Sequence, residues 1–207
     1  MANINAPKGF VPVRHLNGSA WNGLTKEFLI PSSDATAVFV GDLVKHAGGA
    51  GAAGTIVNGQ DCEGMPTAAL ATAGTTGQDL LGAVVGFLPD PTALQTKHRA
   101  ASTNRIALVC IDPTVVYEVQ EDAVGSNLAA ADIGLNIPYT TTAGSSTTGV
   151  SAMEIDSSAK ATTSTLPVKI LGLVKRPDVA FGLASTDHAK FEVMLNTFLY
   201  APNVAGV

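Results

Sequence analysis

No apolar run in this chain is longer than a β-strand. Residues 37–40, 43–45, 80–88 and 106–111 are each cut short by Gly, Asp, Pro or Ser. That punctuation marks strands ended by turns rather than long helices. Within 80–88, Gly82 and Gly86 fall on one face, which points to a bulge or a close backbone approach. Residues 106–111 are apolar on both faces, as a central strand between two layers would be, and Asp112-Pro113 then turns the chain. Val115, Tyr117 and Val119 alternate with Val116, Glu118 and Gln120; Leu166, Val168 and Ile170 share a face. Phe191, Val193, Leu195 and Leu199 alternate with Lys190, Glu192 and Asn196, the cleanest period-two segment. Helix is expected only over 128–133, between a Ser126 or Asn127 cap and a Gly134 stop, and over 178–183. The expected fold is all-β, a compact barrel or two-layer sandwich with one or two short helices.

The first 24 residues follow a different pattern. Pro7, Gly9 and Pro12 break every apolar run there, which is neither a helix nor a secretory signal. Apolar anchors recur all the same. The segment reads as an extended N-terminal arm over 1–24, ahead of a β-rich body over 25–207 with a conceivable subdivision near 125. At about 3.3 Å per residue such an arm reaches roughly 70 Å. Its partner-binding candidates are Ile4, Phe10, Val11, Val13, Arg14, His15, Leu16 and Trp21. Phe10 and Trp21 have two destinations open to them, a partner's pocket or the chain's own core. His15 either contacts a partner or stays solvated.

Composition narrows the function classes. Of 207 residues, 46% are apolar and only 14% charged, against roughly 25% charged in an average soluble domain. So little charge favours a surface covered by copies or partners over a free cytosolic enzyme. A net charge of −5 with scattered Lys and Arg argues against a nucleic-acid partner. No run approaches the roughly 20 apolar residues of a membrane-spanning helix. Cys62 and Cys110 lack metal spacing and read as free thiols made in a reducing cytoplasm.

No catalytic, cofactor or metal set emerges. There is no Gly-x-Ser-x-Gly elbow, and His15, His46, His98 and His188 are unclustered. Glu154 with Asp156, and Asp61 with Glu63, read as surface carboxylates rather than cation ligands. Asp42, after Gly41, reads as a turn residue whose carboxylate bonds nearby N–H groups. Lys97, His98, Arg99 and Arg105 read as a solvated charged loop, or else as a face for an acidic patch on a partner. Residues 47–54, nearly all Gly and Ala, read as a loop tip; 140–149 and 157–165 are rich in Thr and Ser.

A family likeness runs through segments spread along the chain. It takes in Ala2 to Gly18, Val38-Phe39-Val40-Gly41-Asp42-Leu43-Val44-Lys45 and Leu81-Gly82-Ala83-Val84-Val85-Gly86-Phe87. It continues through Val116-Tyr117-Glu118-Val119-Gln120, Ala130-Ala131-Asp132-Ile133-Gly134 and Thr148-Gly149-Val150-Ser151. It ends with Ile170-Leu171-Gly172-Leu173-Val174-Lys175-Arg176-Pro177 and Phe191-Glu192-Val193-Met194-Leu195-Asn196. Together these resemble the head decoration, or capsid cement, proteins of tailed bacteriophages. The resemblance implies a virion protein made in the bacterial cytoplasm and bound to the outer surface of the expanded head. Its implied partners are the major capsid protein and its own copies, as a homotrimer before a dimer. Residues 47–54 and 88–104 depart from the family pattern. The competing expectations are a tail or baseplate structural protein, and a soluble β-barrel binding module.

Overall fold

A computed structural model describes residues 3–73, 78–181 and 188–201. Strands β1 (Val11–His15), β2 (Lys26–Ile30), β3 (Leu43–Ala50), β4 (Ile56–Val57) and β5 (Gln60–Asp61) come first. They are followed by β6 (Pro66–Leu70), β7 (Leu80–Phe87), β8 (Arg105–Cys110), β9 (Val115–Gln120) and β10 (Asn136–Ile137). The last are β11 (Tyr139–Thr140), β12 (Glu154–Ile155), β13 (Val168–Leu173) and β14 (Lys190–Leu195). The chain is all-β, as its punctuation requires.

Two bodies of sheet share the work. Strands β2-β6-β3-β7-β8 close into a barrel, and β1-β9-β14-β13-β10 form an open five-stranded sheet. The barrel closes antiparallel except at one seam, where β2 and β6 run parallel and meet at Leu29 and Thr67. Strands β7 and β8 are nearly all apolar because both of their faces are largely covered, whereas β3 is buried only at its start and runs out into solvent over residues 47–50. Phe28, Val44, Leu81, Val84, Ala107 and Val109 belong to one cluster. On the other face, Leu29 and Ile106 pack with Val57 and Cys62 beneath the β4-β5 hairpin. Leu43, Leu80, Ala83 and Cys110 instead join Tyr117, Val119, Phe191 and Val193 of the open sheet. This shared cluster welds the sheet to the barrel, and burying its large side chains contributes about 1.5–3 kcal/mol each.

The glycines of β7 do what their spacing predicts. A Cβ on Gly82 would lie 1.8 Å from the Cys110 carbonyl oxygen, so the two strands touch backbone to backbone there. Gly86 sits at the register shift of the β7-β8 pair.

Three expectations need correction. Residues 3–24 are not a free arm. β1 pairs antiparallel with β9, Val11 opposite Glu118, and Phe10 is fully buried. An edge strand with an aromatic on its inner face gains more by lying on its own sheet than by staying solvated. Second, the change of body falls between β8 and β9 rather than near 125, since every barrel strand precedes Asp112. Third, residues 128–133 make only a single 3-10 turn, Ala130–Asp132. Tertiary bonds capture the flanks: the Glu121 carboxylate takes the Leu128 N–H, and the Gly134 N–H goes to the Ile170 carbonyl. Pro177 and Asp178 form a turn and residues 179–181 are irregular, while 182 and 183 lie outside the described residues.

The N-terminal segment crosses the barrel where Gly9 and Gly41 meet, with φ of +67° and +98°. A Cβ on Gly41 would sit 2.2 Å from the Lys8 carbonyl oxygen. Gly41→Ala should therefore cost more than about 2 kcal/mol in urea unfolding. Gly18→Ala, at φ +90° with nothing within 4 Å, should cost only about 1 kcal/mol. Equal losses would mean that the crossing is looser than the close approach implies.

Candidate functional site

The N-terminal segment is seated by polar contacts first. The Asn3 side chain mimics a strand pair: its Nδ2 donates to the Ala180 carbonyl at 3.0 Å and its Oδ1 accepts the Ala180 N–H at 3.0 Å. Gln120 holds the next residues. Its Oε1 accepts the Ala6 N–H at 2.9 Å, and its Nε2 donates to Asn5 Oδ1 at 2.9 Å and Glu154 Oε1 at 2.7 Å. The Phe10 N–H then donates to the Gly41 carbonyl at 2.8 Å. The Phe10 ring meets Tyr117 and Tyr139 edge-on, with centroids 6.5 and 6.2 Å away. Beyond it Trp21, half-buried, packs against the same cluster, and its backbone N–H donates to the Val13 carbonyl at 3.4 Å.

The outer face of this sheet carries an ordered charge pattern. Glu118 and Glu192 lie directly opposite each other on β9 and β14, a repulsive placement by itself. Two arginines reverse it. Arg14 reaches both Glu192 oxygens, at 3.3 and 2.6 Å, and Arg176 both Glu118 oxygens, at 2.9 and 2.7 Å. Such forked pairs fix geometry more than they add stability at an exposed surface. His15 turns toward Thr114 and Asp112, at 3.3 and 3.4 Å.

The eight residues singled out in the sequence thus divide. Phe10 is wholly inside its own chain and offers nothing to a partner. Arg14, His15 and the half-buried Trp21 are engaged within the chain. Ile4 is 79% exposed and Leu16 53%, while Val11 and Val13 are 38% and 36% exposed. Leu24, 68% exposed, belongs with them; one Leu in a polar link has no periodicity to mark it in the sequence. Among the described residues, five of the nine large apolar side chains left in solvent fall within 4–24.

The basic group around 97–105 proves to be neither a solvated loop nor a face for an acidic partner. Arg99 is fully buried. Its guanidinium donates to the carbonyls of Thr103, Pro31 and Asp34 at 2.8, 2.6 and 2.7 Å, and to that of Thr36. Arg105, also buried, donates to the carbonyls of His98 and Thr96, while the His98 ring stacks on Phe39. Only Lys97 of this group stays exposed. Burial lowers the pKa of both arginines, yet the ring of carbonyl dipoles suits a cation. Glu154 is likewise not a surface carboxylate. It sits half-buried, and burial raises its pKa. Asp156 stays local, on the Ser158 hydroxyl, and Asp61 accepts the Glu63 N–H at 2.9 Å. Cys62 and Cys110 are both free and buried.

Asp42 behaves as its turn predicts, accepting the Phe39 N–H at 2.8 Å. Burial pushes its carboxyl up to about 6, against the opposing pull of hydrogen bonds from Ser151 and Phe39.

Among the described residues no group of three or more His, Cys, Asp or Glu side chains could hold a metal ion. No described helix is long and apolar enough to cross a membrane. The clefts are open: one of about 860 Å³ is lined by Arg14, Leu173, Val179 and Glu192, and one of about 540 Å³ beside the barrel by Gly48, Ala50, Ser32 and Asn104. A smaller apolar groove of about 260 Å³ runs between the N-terminal segment and β7, past Pro12, Trp21, Val85 and Val150. No protein-family model, curated protein or solved structure matches the chain.

Two predictions follow from the buried ionisable groups. Arg99→Lys should lower stability by about 2 kcal/mol or more in urea unfolding, because an ammonium cannot reach four carbonyls arranged for a planar fork. A change within about 0.5 kcal/mol would show that the fork is dispensable. For Asp42, the folded pKa is raised, so its stabilising proton uptake is complete below 3.8 and lost as pH rises through about 6. The stability of the native protein relative to Asp42→Asn should fall across that window by about 3 kcal/mol. A pH-independent difference between the two would refute the assignment.

Proposed function

We propose that this chain is a structural virion protein that binds the outer surface of the expanded bacteriophage head. There it bridges neighbouring major capsid subunits and associates with its own copies, as a trimer. Its role is mechanical rather than catalytic.

The observation that carries this reading is the rank of exposed apolar side chains on a rigid N-terminal segment. Ile4, Val11, Val13, Leu16 and Leu24 face solvent while Phe10 and Trp21 anchor the same segment to the core. Such a surface is preorganised, so little conformational freedom is lost when a partner covers it. Low overall charge and the family likeness of many spaced segments support the same reading. Packaged DNA pushes capsid subunits apart. A protein holding several subunits and its own copies must lose all those contacts together before the shell opens, so modest interfaces become strong in combination.

Co-sedimentation with undecorated heads, before and after expansion, tests this. The expected result is saturable binding to expanded heads, near stoichiometric with capsid subunits. Absence of binding, with low copy number in virions, would indicate a tail protein instead. Absence from virions would end both structural readings. Ile4→Asp with Leu16→Asp should weaken head binding at least tenfold without moving the melting temperature. Phe10→Ala should instead lower the protein's own stability by about 3–5 kcal/mol. Loss of head binding by Phe10→Ala at unchanged stability would contradict its place in the core.

A further inference from the structure

Three Asn-Gly pairs occur in the chain, at 17–18, 22–23 and 58–59. Asn-Gly is chemically unstable. The backbone nitrogen after the Asn can attack the side-chain amide carbon, because a following glycine has no Cβ to shield it. The fold treats the three pairs differently.

At Asn17 the side-chain oxygen is also held, by the Ser19 N–H at 3.0 Å and the Ser19 hydroxyl at 2.8 Å, but the nucleophile is engaged, since the Gly18 N–H donates to the His15 carbonyl at 2.9 Å. At Asn58 the leaving group is clasped, since Nδ2 donates to the Pro89 carbonyl at 3.0 Å. That pair is also the tip of the β4-β5 hairpin, with Val57 paired to Gln60 on either side of it. Asn22 is held at its oxygen. Oδ1 accepts the Leu24 N–H at 3.2 Å. A donor on that oxygen polarises the amide and stabilises the negative charge that grows there during attack. All three pairs are exposed, with nothing within 4 Å of where a Cβ on Gly18, Gly23 or Gly59 would be, so the engaged nucleophile at Asn17 and the clasped leaving group at Asn58 set the order.

We infer that Asn22-Gly23 is a self-modifying joint, converting in water to aspartate and isoaspartate ahead of the other two pairs. The Gly23 nitrogen loses its proton to solvent and forms a bond to Asn22 Cγ. The bond from Cγ to Nδ2 breaks, Nδ2 takes a proton from solvent and leaves as ammonia, and a five-membered succinimide remains. Water then opens the ring. Cleavage at the side-chain carbonyl gives aspartate; cleavage at the backbone carbonyl gives isoaspartate, whose main chain is longer by a methylene. One water enters and one ammonia departs, with no change of oxidation state.

The position gives the reaction a consequence. Residues 22–25 are the link between Trp21, packed on the sheet, and β2 of the barrel. The product carries a new negative charge and, as isoaspartate, extra slack in that link, beside the exposed Leu24. Any effect on head binding rests on the proposed function; the chemistry does not.

The test is peptide mapping by mass spectrometry of the folded protein held at mildly alkaline pH, with isoaspartyl methyltransferase labelling. The same chain in denaturant gives the intrinsic rate of each pair. Modification of Asn22 several-fold faster than Asn17 and Asn58 in the folded protein is expected, with an ordering lost in denaturant. Asn22→Gln, whose longer side chain disfavours the five-membered ring, should remove the label at this site with the melting temperature unchanged. Faster reaction at Asn17 or Asn58 when folded, or the same ordering in denaturant, would overturn the inference.

Discussion

The crossing of Gly9 over Gly41 is the contact on which the remainder depends. Two backbones come together there with no room for a side chain on either. The approach lets the Gly41 carbonyl take the Phe10 N–H while the Gly41 N–H reaches the Val84 carbonyl. A single residue, through its two flanking peptides, therefore ties the N-terminal segment to β7 of the barrel. Phe10 is thereby aimed into the seam between barrel and sheet, and β1 is delivered to β9. The adjoining Asp42 carboxylate braces the turn from beneath. With a larger residue at either glycine, the segment would lift, and Phe10 would leave the cluster that joins the two bodies.

Buried polar side chains hold what the apolar core does not reach. Arg99 gathers carbonyls from residues 31–36 and from Thr103, loops with few apolar residues of their own. Glu121 does the converse with N–H groups, accepting from Leu128 and Ala189. Each satisfies backbone groups that have no ladder partner, which is the requirement any buried loop must meet. These sites act as local substitutes for secondary structure.

Legibility followed the same division. Strand existence was readable wherever apolar residues alternated or ran continuously, and the glycine spacing of β7 foretold its contact with β8. The turn role of Asp42 was readable because it depends on residues next to it. The Asn58-Gly59 hairpin carries an Asn-Gly turn signal between Ile56-Val57 and Gln60-Asp61, but strands of two residues are too short to show an alternating pattern. What could not be read was long-range. The partners of Arg99 lie in segments far apart in the chain, and a short run of basic residues looks the same whether it is solvated or enclosed. Phe10 posed the same difficulty: an aromatic between prolines fits a docking arm or an edge strand, and only β9 decides.

The pairing of β1 with β9 also orders events during synthesis. Every barrel strand has been made by Cys110, so the barrel can close while the ribosome is still adding residues. The first strand has no such option. Val11 must wait for Glu118, and the sheet beside it waits further for β14. Throughout that interval Phe10, Val11 and Val13 form a short, sticky, unpaired segment, the kind of exposed edge that recruits other nascent chains. Pro7 and Pro12 have a second use in this light. Lacking N–H groups, they deny a stray strand the ladder it would need. The prolines that make the segment a poor helix therefore also guard the newborn chain until its own partner arrives.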